Sequence, residues 1–309
     1  MYRILTIKRA CLIACLSLFF TAHQAGAQIN PDTLKTGQWA TAGSFNVNGA
    51  QVGLVNWASG GQNAVSLSSL LNFNVFRKLK TGGLENSIEL SYGLTNQESS
   101  PFGWEKSDDI IQFNSRYYRA IDKKWNYSAL LKFRTQFDAG LAKVEGDSLQ
   151  EGPQRVKVSD FLAPAYANLS IGIEYREDEF FSLMVSPLSS KLTVVNDDAL
   201  AAEAAYGVEP GQKTRFEEGA IISSKLRWVP MENIRIESRL DLFGNYETIR
   251  KIDVNFENLI ILRANEYIST SITTNLIYDH DVDIQRDNGT LGPDTQFKEV
   301  IAVGFLYNF

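Results

Sequence analysis

The feature that most restricts this chain is a two-residue alternation of apolar and polar side chains, carried over segments of about ten residues. The clearest instance closes the sequence. Phe297, Ile301, Val303, Phe305, Tyr307 and Phe309 fall on one face, and Lys298, Ala302, Gly304 and Asn308 on the other, with Glu299 interrupting the apolar face near one end. In 125–138, Trp125, Tyr127, Ala129, Leu131, Phe133, Thr135 and Phe137 alternate with Asn126, Ser128, Lys132, Arg134, Gln136 and Asp138. In 234–246, Ile234, Ile236, Leu240, Leu242 and Tyr246 alternate with Arg235, Glu237, Arg239, Asp241 and Asn245. Segment 268–278 repeats the pattern with Ile, Thr, Leu and Tyr against Ser, Thr and Asn. A face of Arg, Glu, Arg and Asp cannot meet lipid, where a central Arg or Lys costs about 2–4 kcal/mol, so it must meet a lumen or water.

The pattern predicts strands near 41–56, 64–78, 84–96, 108–120, 125–139, 165–176, 179–194, 214–228, 233–246, 251–262, 266–279 and 296–309. About twelve antiparallel strands, closed because lipid tolerates no unpaired edge, make an all-β transmembrane barrel. In the first segment the alternation is poor, and Asn48-Gly49 could be a hairpin turn. Pro187 needs a bulge or a strand end, since it removes a ladder hydrogen bond. With both termini periplasmic, the predicted periplasmic turns are all short (79–83, 121–124, 177–178, 229–232, 263–265) and most outer loops are longer (97–107, 140–164, 195–213, 280–295). That sorting is the habit of outer-membrane barrels. The lipid-facing parity also sets Tyr117, Trp125, Tyr127, Tyr175, Trp228 and Tyr307 at the periplasmic end, and Tyr92, Phe137, Tyr246, Tyr278 and Phe297 at the outer end. Two such girdles suit headgroup level.

The first 27 residues read differently. Arg3, Lys8 and Arg9 precede an apolar run, Ala10 to Phe20, and Ala25-Gly26-Ala27 offers a cleavage site before Gln28. This is the pattern of a secretory signal peptide. Leu12-Ile13-Ala14-Cys15 is a rival lipoprotein box, but its apolar run lies mostly after the cysteine. Residues 28–309 then form the barrel domain, with 28–40 a possible periplasmic extension. No later apolar run reaches the roughly 18 residues of a membrane helix. Both cysteines, Cys11 and Cys15, precede residue 28, so the remainder has neither disulfide nor thiolate chemistry. The net charge of −6 becomes more negative once the basic signal is removed, which argues against nucleic acid as a partner.

Several motifs carry a family resemblance. Asn56-Trp57-Ala58-Ser59-Gly60-Gly61-Gln62-Asn63, Lys106-Ser107-Asp108-Asp109, Thr135-Gln136-Phe137, the segment Asp160–Tyr166, the segment Leu240–Tyr246 and Gln296-Phe297-Lys298-Glu299 resemble a Bacteroidetes family of secreted proteins known only as a domain of unknown function. The terminal Phe309, behind Tyr307, Phe305, Val303 and Ile301, looks like the signal that outer-membrane barrels present to their assembly machinery. The resemblance implies a barrel in the outer membrane of a Gram-negative bacterium. It brings no activity and no functional residues.

Parity nominates the lumen charges: Arg116, Lys132, Arg134, Lys225, Arg227, Arg235 and Arg239 against Glu85, Glu89, Asp138, Glu174, Glu237, Asp241, Asp253 and Glu257. Near balance fits either an ion-paired filling or a hydrated pore or ligand cavity. Strand number does not choose, because about eight strands give a filled interior and 16–18 an open channel. At the outer rim, Asp279-His280-Asp281 with Asp283 holds the sole histidine left after signal removal. An imidazole base needs an orienting carboxylate, with Ser59, Ser99 or water as nucleophile. One histidine is a poor zinc set, whereas clustered carboxylates suit a divalent cation such as calcium. Otherwise no cofactor is expected. Asp108-Asp109 and Asp197-Asp198, with Asp281, could bridge lipopolysaccharide through divalent cations. The Gly-Gly turn at Ser59–Asn63 lacks the Lys and Thr of a phosphate-binding loop and reads as a tight turn. Three functions stay open: a non-enzymatic pore or passive conduit for a small solute or lipid, a rim enzyme centred on His280, and a structural or adhesive barrel with a plugged lumen. The partners expected are outer-membrane lipids and lipopolysaccharide, and the assembly machinery through Phe309.

Overall fold

The computed structural model describes residues 33–52, 63–98, 100–144, 154–177, 180–248, 251–265, 267–282, 284–285 and 290–308. The signal segment, Ser59, Ser99, Asp283 and Phe309 lie outside the described residues.

Twelve strands close into one antiparallel barrel. In chain order they are β1 (Trp39–Val52), β2 (Ala64–Leu79), β3 (Gly82–Gln97), β4 (Trp104–Ala120), β5 (Trp125–Thr135), β8 (Ala165–Glu177), β9 (Phe181–Val194), β10 (Thr214–Met231), β11 (Ile234–Asn245), β12 (Ile252–Arg263), β13 (Ile268–Tyr278) and β16 (Gln296–Asn308). Closure comes from β1 against β16, with Ser44 opposite Asn308 and Gly49 opposite Val303. Asn48-Gly49 is therefore not a turn; it lies inside an unbroken β1. Two hairpins, β6 (Gly140–Val144) with β7 (Gln154–Ser159) and β14 (Ile284–Gln285) with β15 (Leu291–Gly292), and one short helix α1 (Asp198–Ala202), fall in connections that the sequence pattern reads as plain loops.

The connections sort by end. At the end where β1 begins and β16 finishes, the turns are 80–81, 121–124, 178–180, 232–233 and 264–267. Asx chemistry tightens two of them. Asp122 Oδ1 accepts the Lys124 and Trp125 amides, both at 2.8 Å, and Asn265 Oδ1 accepts those of Tyr267 at 2.9 Å and Ile268 at 2.7 Å. At the opposite end the connections include 136–164, 195–213 and 279–295, which carry the hairpins and the helix. Just before β1, the amide of Gly37 donates to Lys78 O (2.7 Å) and Lys78 N to Gln38 O (3.0 Å), so this stretch extends the β1–β2 ladder along the wall.

Alternation decides which side each residue takes. Tyr127, Leu131, Leu169, Ile171, Ile173, Leu188, Ile301, Val303 and Phe305 are all exposed on the outer surface. An apolar belt of that extent around a closed barrel is what hydrocarbon requires. Both ends of the belt are aromatic. Trp125 packs edge-on to Tyr175 at 5.2 Å at the inner end, and Tyr92 to Phe137 at 6.4 Å at the outer end. Among the described residues, no helix is long and apolar enough to cross a membrane; this barrel crosses with strands.

Pro187 sits where β9 shifts register against both neighbours, between Ser186 and Ser189 against β10 and between Val185 and Leu188 against β8. The bulge absorbs the residue that cannot donate to the ladder. Ser186 Oγ lies 2.7 Å from Ile171 O, and Tyr246 Oη donates to Pro187 O. Gly172 faces the bulge; a Cβ there would stand 2.2 Å from Val185 O, so only glycine fits.

The outer connections pack on one another. Ala163, Val195, Leu200, Ala201 and Val208 form a small apolar cluster, with Tyr206 against it. Asp197 caps α1, accepting the Ala199 and Leu200 amides at 3.0 Å each, and also pairs with Lys157 of β7. Asp160 and Ala163 exchange backbone hydrogen bonds of 2.7 and 2.9 Å, and Gln136 Nε2 donates to Asp160 O at 2.8 Å.

Candidate functional site

The inward face is polar and charged along the barrel's height, and its charges reach across the lumen. At the inner end, Glu174 of β8 is buried; it accepts Arg116 Nε of β4 at 2.9 Å and Ser128 Oγ of β5 at 2.6 Å. Arg116 also pairs with Glu85 of β3 at 2.7 Å, and Glu85 pairs with Arg176 of β8 at 2.7 Å.

In the middle the pairs span the barrel. Arg239 of β11 lies 3.6 Å from Glu89 of β3, and these two strands stand six apart in either direction around the twelve-strand ring. The side chains thus meet from opposite walls. Arg239 also lies 3.7 Å from Glu257 of β12, which is 3.5 Å from Arg134 of β5. Lys132 of β5 reaches Asp241 of β11, and Ser223 donates to the same carboxylate. Arg239, Arg134, Glu89 and Glu257 keep between 21% and 32% of their side-chain exposure. These charges meet at mid-height and keep partial exposure.

Toward the outer end, Lys191 of β9 serves three carboxylates: Asp253 at 2.7 Å, Asp279 at 3.0 Å and Glu217 at 4.0 Å. Arg215 joins Glu217 (3.1 Å) to Asp281 (2.7 Å). Beside these, a cavity of about 380 Å³ opens between Lys106, Asp108, Arg134, Gln136, Asn275 and Lys298. Lys298 of β16 pairs with Asp108 of β4 at 2.9 Å, and Asp109 accepts Lys106 Nζ and the Phe137 amide, both at 2.7 Å. The motifs at 106–109, 135–137 and 296–299 therefore meet around one outer vestibule, although they come from distant strands.

Every lumen residue nominated from parity within a strand faces inward: Arg116, Lys132, Arg134, Lys225, Arg227, Arg235, Glu237, Arg239, Asp241, Glu85, Glu89, Glu174, Asp253 and Glu257. Asp138 is the correction. β5 ends at Thr135, so parity no longer governs residue 138, which lies in the outer connection 3.3 Å from Tyr92 Oη. The pattern also misses Arg176, Lys191 and Glu217. For Lys191 the cause is the Pro187 bulge, which swaps the inward set from Ser182, Met184 and Ser186 to Ser189, Lys191 and Thr193.

Among the described residues, the ring of the rim histidine has no carboxylate partner. His280 Nδ1 lies 3.3 Å from Tyr278 Oη, while the flanking Asp279 and Asp281 turn to Lys191 and Arg215. The other acidic pairs are likewise met by cations: Asp108 by Lys298, Asp109 by Lys106, Asp197 by Lys157 and Asp198 by Lys213. Among the described residues, no three His, Cys, Asp or Glu side chains gather as a metal set.

A closed antiparallel barrel with an apolar, aromatic-edged exterior and a charged interior is a transmembrane β-barrel. A family model described as "Protein of unknown function (DUF3078)" matches residues 50–141. No curated protein sequence matches the chain. Among solved structures, similarity extends to an outer membrane channel from Pseudomonas putida F1 (10% identity, TM-score 0.41, covering 91% of this chain and 100% of that one). It also extends to the translocator domain of the autotransporter NalP from Neisseria meningitidis (10% identity, TM-score 0.39, 90% of each chain) and to the NanC porin (8% identity, TM-score 0.39, 85% of this chain and 98% of that one).

Proposed function

We propose that this protein is a non-enzymatic outer-membrane barrel that serves as a narrow conduit for a small polar solute. The observation that supports this reading best is the middle layer, where Arg239 and Glu89 meet from opposite walls yet stay partly open to water. A dry plug has no use for so many half-exposed charges, which would be better replaced by packed apolar residues. An open porin would hold its opposing walls apart. A charged lumen also suits a polar solute better than a lipid tail, because each ion pair would have to be desolvated around an acyl chain. Export through the signal at 1–27 and delivery through Phe309 to the assembly machinery belong to the same reading.

Liposome swelling tests it. Wild-type barrels should admit small polar solutes slowly and exclude oligosaccharides, and the double variant Glu89→Gln/Arg239→Gln should raise the rate and the size limit together. If wild type and variant are both folded and both impermeant, the conduit is ruled out.

The second reading, a structural barrel that presents its outer surface, draws on the apolar cluster that fixes the connections around α1. Under it, deleting 143–157 removes partner binding and leaves the barrel folded.

A further inference from the structure

One stretch of the inner wall sets three arginines beside a single carboxylate. Arg227 comes from β10, Arg235 and Glu237 from β11, and Arg263 from β12. The register sets Arg227 opposite Glu237 and places Arg235 opposite Ile261, two residues before Arg263. Arg235 is the second residue of β11 and Arg263 the last of β12, so the group rings one side of the inner mouth.

Glu237 is shared thinly. Its Oε1 lies 3.6 Å from Arg227 Nε and 3.4 Å from Arg235 Nε. Arg235 Nε is buried and makes no hydrogen bond among the described residues. Arg263 forms no ion pair with any described residue. Glu237 attracts Arg235, and Arg227 and Arg263 both repel it. The outer half is richer in carboxylates, with Lys191 among Asp253, Asp279 and Glu217, and Arg215 between Glu217 and Asp281. Adjacent cations enclosed by a barrel wall raise each other's energy, and an anion placed among them lowers it. Guanidinium groups match the planar oxygens of carboxylate and phosphate.

We propose that the inner mouth binds a small oxyanion, phosphate- or carboxylate-bearing, through Arg235 and Arg263, with Glu237 shared between Arg227 and Arg235. This deepens the conduit reading by naming the solute class, and it rests on that reading only for transport; binding is a separate matter.

The test is isothermal titration of the full-length barrel in non-ionic detergent, with inorganic phosphate and with acetate, at low salt. Wild type should bind, with affinity falling as salt rises. Arg235→Gln/Arg263→Gln should weaken binding by about 100-fold, at about tenfold for each cation neutralised. Lys213→Gln, in the outer connection, should match wild type. Heat-modifiable gel mobility confirms that each variant is folded. Phosphate binding alone assigns a phosphate-bearing solute, and binding of both assigns the carboxylate class as well. Flat titrations of wild type, or equal affinity in the double variant, overturn the proposal. If phosphate binds and liposomes stay impermeant, the conduit fails and the site stands. If solute passes and phosphate does not bind, the site fails alone.

Discussion

Glu174 gives the sharpest test of whether the lumen charges hold the barrel together. Its side chain is 5% exposed, and Arg116 beside it 12%. Glu174→Ala removes the acceptor from Arg116 and from the buried Ser128 hydroxyl at one stroke. Breaking a buried pair by deleting one partner costs about 3–5 kcal/mol. Arg116 keeps Glu85 at 2.7 Å, itself 28% exposed, so the loss should fall at the lower end, about 3 kcal/mol. Glu174→Gln retains an acceptor and loses only the charge assistance, about 1 kcal/mol. The assay is urea unfolding of refolded barrel in detergent, followed by the fluorescence of girdle residues such as Trp125 and Trp228. With a slope of about 2 kcal/mol per molar urea, the alanine variant should move the midpoint down by about 1.5 M. Glu177→Ala is the control. It breaks a pair with Lys124 in which both side chains are about half exposed, and it should leave the midpoint nearly unchanged. If Glu174→Ala shifts the midpoint no further than Glu177→Ala, the lumen pairs are solvated decoration and the reasoning fails.

Other outcomes follow from the same structure. Leu240 faces the membrane in mid-β11, opposite Ser224 and Phe256, so Leu240→Arg should cost about 2–4 kcal/mol in lipid, read as a lower unfolding midpoint in vesicles. Asp197, outside the membrane, is held below the usual carboxylate range, first by the hydrogen bond from Lys157 and then by the Leu200 amide. A depressed carboxyl stabilises above its unfolded pKa, about 3.9, and that contribution disappears as pH falls through the folded value. Protection of the Ala199 and Leu200 amides, relative to their intrinsic exchange rates, should therefore fall from about pH 4 downward, whereas Asp197→Asn, still a good cap, should show no such step; the same step in both would refute the assignment. Deleting Phe309 should slow delivery into the outer membrane in cells while leaving the unfolding midpoint of the purified barrel in place, and an equal loss of both would make it an ordinary packing residue.

The strands were legible in the sequence because a barrel wall has two unlike sides, so each segment has to alternate. β11 shows this plainly: Ile234, Ile236, Leu240 and Leu242 face out, while Arg235, Glu237, Arg239 and Asp241 face in. The partners were not legible, because parity says which way a charge points and nothing about what stands opposite. Lys132 and Asp241 are 109 residues apart, and Arg134 and Glu257 are 123 apart. Lys191 was hidden by the Pro187 bulge. Counted through without a bulge, it would have faced lipid, and the cost of that placement was the available clue. Asp279 was visible as an acid near the rim, but its role became clear only with Lys191 beside it. The outer hairpins and α1 escaped notice because short elements packed on neighbouring loops need no long periodic pattern.

The central claim is that the Arg239–Glu89 layer sets the width of the lumen. Single-channel recording in planar bilayers measures this directly, with wild type and Glu89→Gln/Arg239→Gln compared in the same salt. Wild type should show a small conductance and the variant a several-fold larger one, because the charged pair no longer bridges the lumen. Identical conductances in two folded barrels, or none in either, would contradict the claim.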